Sequence, residues 1–335
     1  MKTVASLLSR MKRFVLCVAG AVVIAALGGV AYRWLADRGD LTATPPPGVM
    51  VDVGGHRLHL WCRGEATPDS PTVLFDSGLG GDAFAWEAIA PEVAKFTNAC
   101  TYDRAGMGYS DPGPTPRTSG QIAEELAALI ENGPIDAPVI LVGLSFGGFN
   151  TRIVASERQD LVAGLVLVSA SHENQGERYA AAGVPSGRPP EAVIKLAPIA
   201  ASLGILRLAG VTLGAPPERA YPDVRDFVRA TVYRTTRYQT MASELVHTAE
   251  SGRQVAAMRR QLTLPLVVVS PGDDTGARGD INAELQRDLA TISNRACQAV
   301  AEDSGHGIGN QPELVVQAIR DVLAAIDDEA AMPGC

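Results

Sequence analysis

Seven short runs rich in branched and aromatic side chains recur along the chain: HRLHLWC (56–62), TVLFDSG (72–78), ACTYDR (99–104), VILVG (139–143), GLVLVSA (164–170), PLVVVS (265–270) and CQAVAEDS (297–304). Several are almost wholly apolar, which suits strands of a sheet covered on both faces rather than one with a wet side. Helical patterns lie between many of them. Thr118 with Gln121 opens GQIAEELAALIEN like a capping box, and QPELVVQAIRDVLAAI (311–326) repeats apolar residues at helical spacing beside Pro312. Strands alternating with helices predict an α/β fold with a mostly parallel sheet. At 335 residues, 46% of them hydrophobic, the chain can bury a large core in one domain or one domain with an insertion.

The alternation breaks once. Residues 173–261 hold no convincing strand: a loop-like AAGVPSGRPP is followed by EAVIKLAPIAASLGILRLAG and an Arg-rich helical run from Pro222 to Leu262. This reads as a helical insertion, a cap over the sheet. Lys195, Pro198, Gly204 and Arg207 interrupt its apolar part, which argues against a second membrane span.

The first forty residues are of another kind. Phe14 to Tyr32 is nineteen residues without a charge, about the length an α-helix needs to cross the hydrocarbon layer, and Arg10, Lys12 and Arg13 precede it. Basic residues favour the cytoplasmic side, so residues 1–13 should stay inside, 14–32 should span, and the catalytic domain should be extracytoplasmic. The alternative is a cleaved signal peptide that yields a secreted protein, with Gly29 and Ala31 small enough for a cleavage site. LTATPPPG closes a linker over 33–48, stiffened by three prolines. Domain boundaries are then 49–172 and 262–328 for the two parts of the core, 173–261 for the cap and 329–335 for the tail. The net charge is −8, and residues 1–40 carry six basic against two acidic side chains, so the remainder is strongly acidic and nucleic acid is excluded as a partner. Setting aside Cys17 in the span, Cys62, Cys100, Cys297 and Cys335 are an even number suited to an oxidising compartment, as bridges or as separate buried thiols.

The chemistry is carried by VILVGLSFGGF (139–149), where Ser145 lies between Gly143 and Gly147 at the end of an apolar strand. A tight strand-to-helix turn projects the hydroxyl alone, and flanking glycines let neighbouring backbone approach. A serine needs a base, and among five histidines His306 in SGHGIGN is the candidate, because it follows the last strand in a flexible turn. His172, after an interior strand, is the second. One of Asp273 and Asp274, in PGDDTG after PLVVVS, should orient the imidazole as triad acid. DSGLGGDAFAW (76–86) offers backbone for an oxyanion hole, with the N–H groups of Leu79 and Phe146 as the expected donors.

With GLSFG, the DSGLGG turn, YDRAGMGYSDP (102–112) and the late SGH in this order, the chain resembles the α/β-hydrolase superfamily from about Val51 to Ile326. The resemblance implies an eight-stranded, mostly parallel sheet, a helical cap after the sixth strand and a Ser145–Asp274–His306 triad. Asp274 is favoured because relatives place the acid two or three residues beyond the glycine that closes the strand, here Gly272. Some relatives carry an aspartate after the sixth strand, where this chain has Ser169; Glu173 is the outside candidate there. Asp103 and Arg104 look like structural organisers of their loop. The family's strand order, with the second strand antiparallel to the fourth and the last helix running back along the last strand, implies bridges Cys62–Cys100 and Cys297–Cys335.

The reading is a serine hydrolase of carboxylic esters, carboxylesterase- or lipase-like, working through an acyl-enzyme on Ser145. Its substrate would be a small-molecule ester, acyl lipids included, with AVIKLAPIAASLGIL (192–206) as a candidate acyl pocket. Rival readings are an aminopeptidase or amidase of the same fold and, from another class, an inactive membrane-anchored binding domain. Epoxide hydrolases and haloalkane dehalogenases use an aspartate nucleophile, against which Ser145 argues. No ligand spacing for a metal and no nucleotide motif is present in the sequence, so no metal or cofactor is expected.

Overall fold

The apolar runs pair into one eight-stranded sheet. A computed structural model describes residues 2–65, 70–213, 222–273, 275–306, 308 and 311–327. Its strands are β1 (Val49–Asp52), β2 (Arg57–Arg63), β3 (Val73–Asp76), β4 (Ala99–Tyr102), β5 (Val139–Leu144), β6 (Val162–Val168), β7 (Leu266–Pro271) and β8 (Ala296–Ala301). Their order is β1-β2-β4-β3-β5-β6-β7-β8. β1 and β2 pair antiparallel, as do β2 and β4, and every other pairing is parallel. The short β1 escaped the periodicity analysis because an edge strand of four residues with a single buried side chain carries no apolar run.

In β5, Val139 and Leu141 face one cluster of buried side chains and Ile140 and Val142 the other, all fully buried. One face is covered by α3 (Ser119–Asn132) and α4 (Gly147–Glu157), the other by α2 (Ala90–Val93) and α12 (Pro312–Asp327). Thr118 accepts from the Gln121 N–H at 3.5 Å, while the Gln121 side chain turns to Glu125 rather than back to the cap, so only half of the expected capping box forms. α11 (Gly276–Ala290) connects β7 to β8. Between β6 and β7 the described residues form helices only: α5 (Gln175–Ala181), α6 (Glu191–Ser202), α7 (Ile205–Ala209), α8 (Arg225–Thr231), α9 (Thr235–Val246) and α10 (Thr248–Met258).

The N-terminal helix α1 is Lys2–Ala43, so it continues eleven residues past the uncharged run instead of giving way at residue 33 to a linker. The extension is held by tertiary contacts: Arg33 pairs with Asp37, and Arg207 of α7 pairs with both Asp37 and Asp40. The proline segment is also tied down. Tyr109 Oη donates to Thr44 O, and the fully buried His59 joins Pro47 O through Nε2 and Asp103 Oδ2 through Nδ1 at 2.7 Å. A carbonyl and a carboxylate can only accept, so both ring nitrogens carry protons and His59 is an imidazolium. Burial alone would lower its pKa, but the bond to Asp103 and that residue's charge outweigh burial and raise it.

Cys62 and Cys100 lie opposite one another in the β2–β4 register and form a disulfide with a Cα separation of 4.0 Å. Cys297 is disulfide-bonded as well; its expected partner Cys335 lies outside the described residues.

Two measurements follow from these ties. Replacing both Cys62 and Cys100 by alanine should lower the unfolding free energy by roughly 2–4 kcal/mol in urea titrations. Because folded His59 holds a proton that the unfolded chain releases above its ordinary pKa of 6.5, its contribution is full below that pH and lost as the pH rises through the raised value. Stability should therefore fall more steeply toward alkaline pH in the native chain than in His59→Gln.

Candidate active site

The turn after β5 is built for a strained serine. Ser145 has φ +50°, its N–H donates to Val168 O at 3.0 Å, and Gly148 N–H donates to Ser145 O at 3.0 Å as α4 begins. Both flanking glycines are sterically required. A Cβ on Gly143 would lie 2.5 Å from Thr151 Oγ1 and 2.8 Å from Gly148 Cα, and one on Gly147 would lie 2.5 Å from Asp76 O. The Ser145 hydroxyl meets His306 Nε2 at 3.0 Å.

The other ring nitrogen of His306 contacts a residue the sequence analysis set aside. Ser169 Oγ lies 2.7 Å from His306 Nδ1. Ser169 follows β6 and also has a positive φ, +44°; the parallel register Leu144↔Val168 places it beside Ser145, and Ser171 N–H donates to Ser145 O at 2.9 Å. The sequence signal was a second serine at a strand end, but it acquires meaning only once β5 and β6 are known to be neighbours.

The candidate acids divide as follows. Asp274 lies outside the described residues. Asp273 is exposed, and its N–H donates to Ser304 O at 3.3 Å. The Glu173 carboxylate is engaged by Arg152 at 2.9 and 3.2 Å and by Arg259 at 3.2 Å. Burial would raise the Glu173 pKa, but the bonds and charge of Arg152 prevail and bring it down to about 2. His172, the second candidate base, is buried with Nε2 on Asp288 at 2.7 Å and Nδ1 accepting from Asn174 N–H, and burial lowers its pKa. Both of its ring nitrogens are taken up by those bonds. His56 lies beside Glu125, and His247 Nδ1 bonds its own helix at Ser243 O.

The turn after β3 brings Leu79 to the same sheet edge, where a Cβ on Gly78 would meet the Ser145 Cβ at 3.4 Å. Among the described residues neither Leu79 N–H nor Phe146 N–H has a backbone acceptor, which leaves both available as donors. This turn is held by Arg104, only 1% exposed. Its guanidinium donates to Asp76 Oδ1 (2.7 Å), Ser77 O (2.6 Å), Gly78 O (2.7 Å) and, from Nε, Glu244 Oε1 (2.8 Å). Glu244 belongs to the cap helix α9 and also accepts from Gly80 N–H at 3.3 Å. Asp76 accepts in addition from Asn150 at 2.8 Å, yet burial raises its pKa despite the two partners.

Ser145, Ser169 and His306 border a cavity of about 910 Å³ whose walls come from the β6 end, α5, α10 and α11. Polar residue types outnumber apolar ones in the lining, with Arg188, Arg253 and Arg278 among them, but more of the exposed wall is carbon than nitrogen or oxygen. No residue of the apolar stretch 192–206 is among the described residues that line this cavity. The reason is packing direction: α6 turns Ala197 and Ala201 onto Tyr238 of α9 and leaves its larger side chains outward. Among the described residues no group of three or more His, Cys, Asp or Glu side chains is placed to hold a metal ion.

A family model described as "Alpha/beta hydrolase family" matches residues 73–318. The chain belongs to the α/β-hydrolase family. The sheet order and the helices between β6 and β7 give this member of the family the layout its motifs implied. Among solved structures, the enol-lactonase from Burkholderia xenovorans superposes with a TM-score of 0.58 at 21% identity over 82% of this chain and 100% of that one, a likeness of fold. The lipase LipV of Mycobacterium tuberculosis is 34% identical over 121 residues, 36% of this chain and 44% of that protein. A vacuolar membrane protein of Saccharomyces cerevisiae is 31% identical over 133 residues, 35% of this chain and only 21% of that protein. The aligned segments thus span about a fifth of the yeast relative and less than half of the lipase.

Removing the Arg104 guanidinium would strand Asp76 and Glu244 in the interior. Arg104→Met should cost about 3–5 kcal/mol of unfolding free energy, the range seen when one member of a buried ion pair is deleted. Glu173 adds an acid-side signature. A lowered carboxylate stabilises fully above its ordinary pKa of 4.5, and that contribution disappears as the pH falls toward about 2. Glu173→Gln should flatten stability against pH across that interval.

Proposed function

We propose that the protein is a serine hydrolase acting on carboxylic esters, with Ser145 as nucleophile and His306 as its general base. The observation that carries this reading is the 3.0 Å contact between His306 Nε2 and the Ser145 hydroxyl on a left-handed turn at the mouth of the cavity. His306 takes the hydroxyl proton as Ser145 Oγ attacks the ester carbonyl, and returns it to the departing alcohol. The oxyanion is received by the Leu79 and Phe146 N–H groups. Water, deprotonated by the same imidazole, then releases the acid from the acyl-enzyme. Asp274 is the proposed triad acid, and the Ser169 hydroxyl is a positioning group that fixes the imidazole from the Nδ1 side.

Arg188, Arg253 and Arg278 on the wall of the cavity favour esters whose acyl or alcohol part carries a polar or anionic group over long-chain lipids, and the apolar part of the wall would take the rest of a short acyl chain. α1, long and apolar enough to cross a membrane, is read as an anchor that leaves the hydrolase on the extracytoplasmic side; the Cys62–Cys100 bridge supports an oxidising compartment.

A fluorophosphonate probe should label the native chain and not Ser145→Ala. His306→Ala should lose activity by as much as about 10⁶, since members of such a unit fail together. Asp274→Asn should lower turnover by roughly 10⁴, with Asp273→Asn near native. Ser169→Ala should lower kcat by only about five- to tenfold at unchanged KM, the worth of one neutral hydrogen bond. p-Nitrophenyl esters of short polar acids should turn over faster than those of long acyl chains and faster than aminoacyl anilides. Full probe labelling of Ser145→Ala would overturn the assignment.

A further inference from the structure

The helical pair α6–α7 has its hydrophobicity inside out. Toward the protein it packs small residues, Ala197 and Ala201, against Tyr238. Outward it presents Val193, Leu196, Ile199, Ile205, Leu208 and Val211, from 40% exposed at Val193 to 67% at Leu208. Val193, Leu196 and Ile199 recur at three-residue spacing on α6, Ile205 and Leu208 do the same on α7, and Val211 follows just beyond its end. A contiguous patch of large aliphatics on a water-facing cap needs a covering partner.

The position of the patch identifies that partner. The turn between α6 and α7 presses on α1: a Cβ on Gly29 would lie 2.2 Å from Leu203 O, and one on Gly204 would lie 2.9 Å from Gly29 O. Arg33 Nε donates to Ser202 O at 3.2 Å, and Arg207 pairs with Asp37 and Asp40. Gly29 is three residues before Tyr32, the end of the uncharged run, so at 1.5 Å per residue the contact sits roughly 4.5 Å inside the outer limit of the apolar segment. Tyr32 and Trp34, both exposed, mark that limit with the aromatic side chains favoured at headgroup depth. The pairs of Arg33 with Asp37 and of Arg207 with Asp37 and Asp40 lie on the outer side of this level, and the α6–α7 turn, between the two groups of exposed aliphatics, sits at it. Glu191 and Lys195, the charges of α6, pair with each other near its N-terminal end, away from the turn.

We propose that the outward face of α6–α7 lies in the outer phospholipid leaflet of the membrane that α1 spans, fixing the cap against the bilayer in a set orientation. The span and the cap then act as two contacts with one membrane: α1 supplies the anchoring, and the immersed face stops the hydrolase from rotating about it. The proposal rests on the reading of α1 as a span, and its test separates the two.

Full-length protein is placed in vesicles of phosphatidylcholine and phosphatidylglycerol. An environment-sensitive NBD fluorophore is attached in a Cys17→Ser background at Leu208→Cys, Ile199→Cys, Leu27→Cys or Glu157→Cys, with Cys17→Ser alone as the labelling blank. Leu27 lies in the span, and exposed Glu157 ends α4 at the sheet edge opposite the cap. Lipids carrying a nitroxide quencher near the headgroup or deep in the acyl chain report depth. Support is a blue shift and loss of fluorescence at Leu208 and Ile199 with the shallow quencher, loss at Leu27 with the deep quencher, and no change at Glu157. Quenching at Leu27 alone overturns the cap contact and leaves the span standing; quenching at none of the sites overturns both.

Discussion

One buried cation holds the candidate active site together. The Arg104 guanidinium, sealed from solvent, reaches the end of β3 through Asp76, the following turn through two carbonyls, and the cap through Glu244. A charge in a dry interior is tolerated only when its donors are met, and the planar fork of arginine meets several acceptors at fixed angles in a way a lysine ammonium does not. Burial would lower the Arg104 pKa, but Glu244 and Asp76 raise it, so it stays charged. The consequence for the site is geometric. The turn that brings Leu79 beside Ser145 and the cap helix that roofs it are pinned by the same group, so the proposed oxyanion donors and the cap cannot shift independently.

The second constraint is register. Because β5 and β6 pair in parallel with Leu144 opposite Val168, two serines in left-handed backbone leave the sheet side by side, at φ +50° and +44°. His306, arriving from the loop beyond β8, bridges them, one nitrogen to each hydroxyl. Strain at both strand ends persists because backbone bonds between Ser145, Val168 and Ser171 over-determine the local path. The cavity beside this bridge and the outward-facing aliphatics of α6 separate two sides of the cap: α10 contributes to the cavity wall, while no described residue of α6 or α7 does.

Much of this was legible from residues alone. The apolar runs announced a sheet covered on both faces, since fully buried strands such as β5 need no alternation with polar residues, and the Gly-Ser-Gly signature announced the elbow because only glycine tolerates the approaches seen at Gly143 and Gly147. β1 was invisible because four residues at an edge bury too little to leave a pattern. The extent of α1 beyond residue 33 was invisible because its support comes from Arg207, more than 160 residues away.

The sequence by itself therefore determined the fold class, the apolar N-terminal helix and the identity of the candidate serine and histidine, all of which follow from local period, composition and chain order. Only the tertiary structure decided which groups meet: Ser169 on the imidazole, Glu244 on Arg104, Glu173 with two arginines, and the apolar stretch 192–206 outside the cavity. Those outcomes depend on strand order and helix rotation, set by packing between segments distant along the chain. A local pattern specifies which residues share a face; it does not specify which other face they will find.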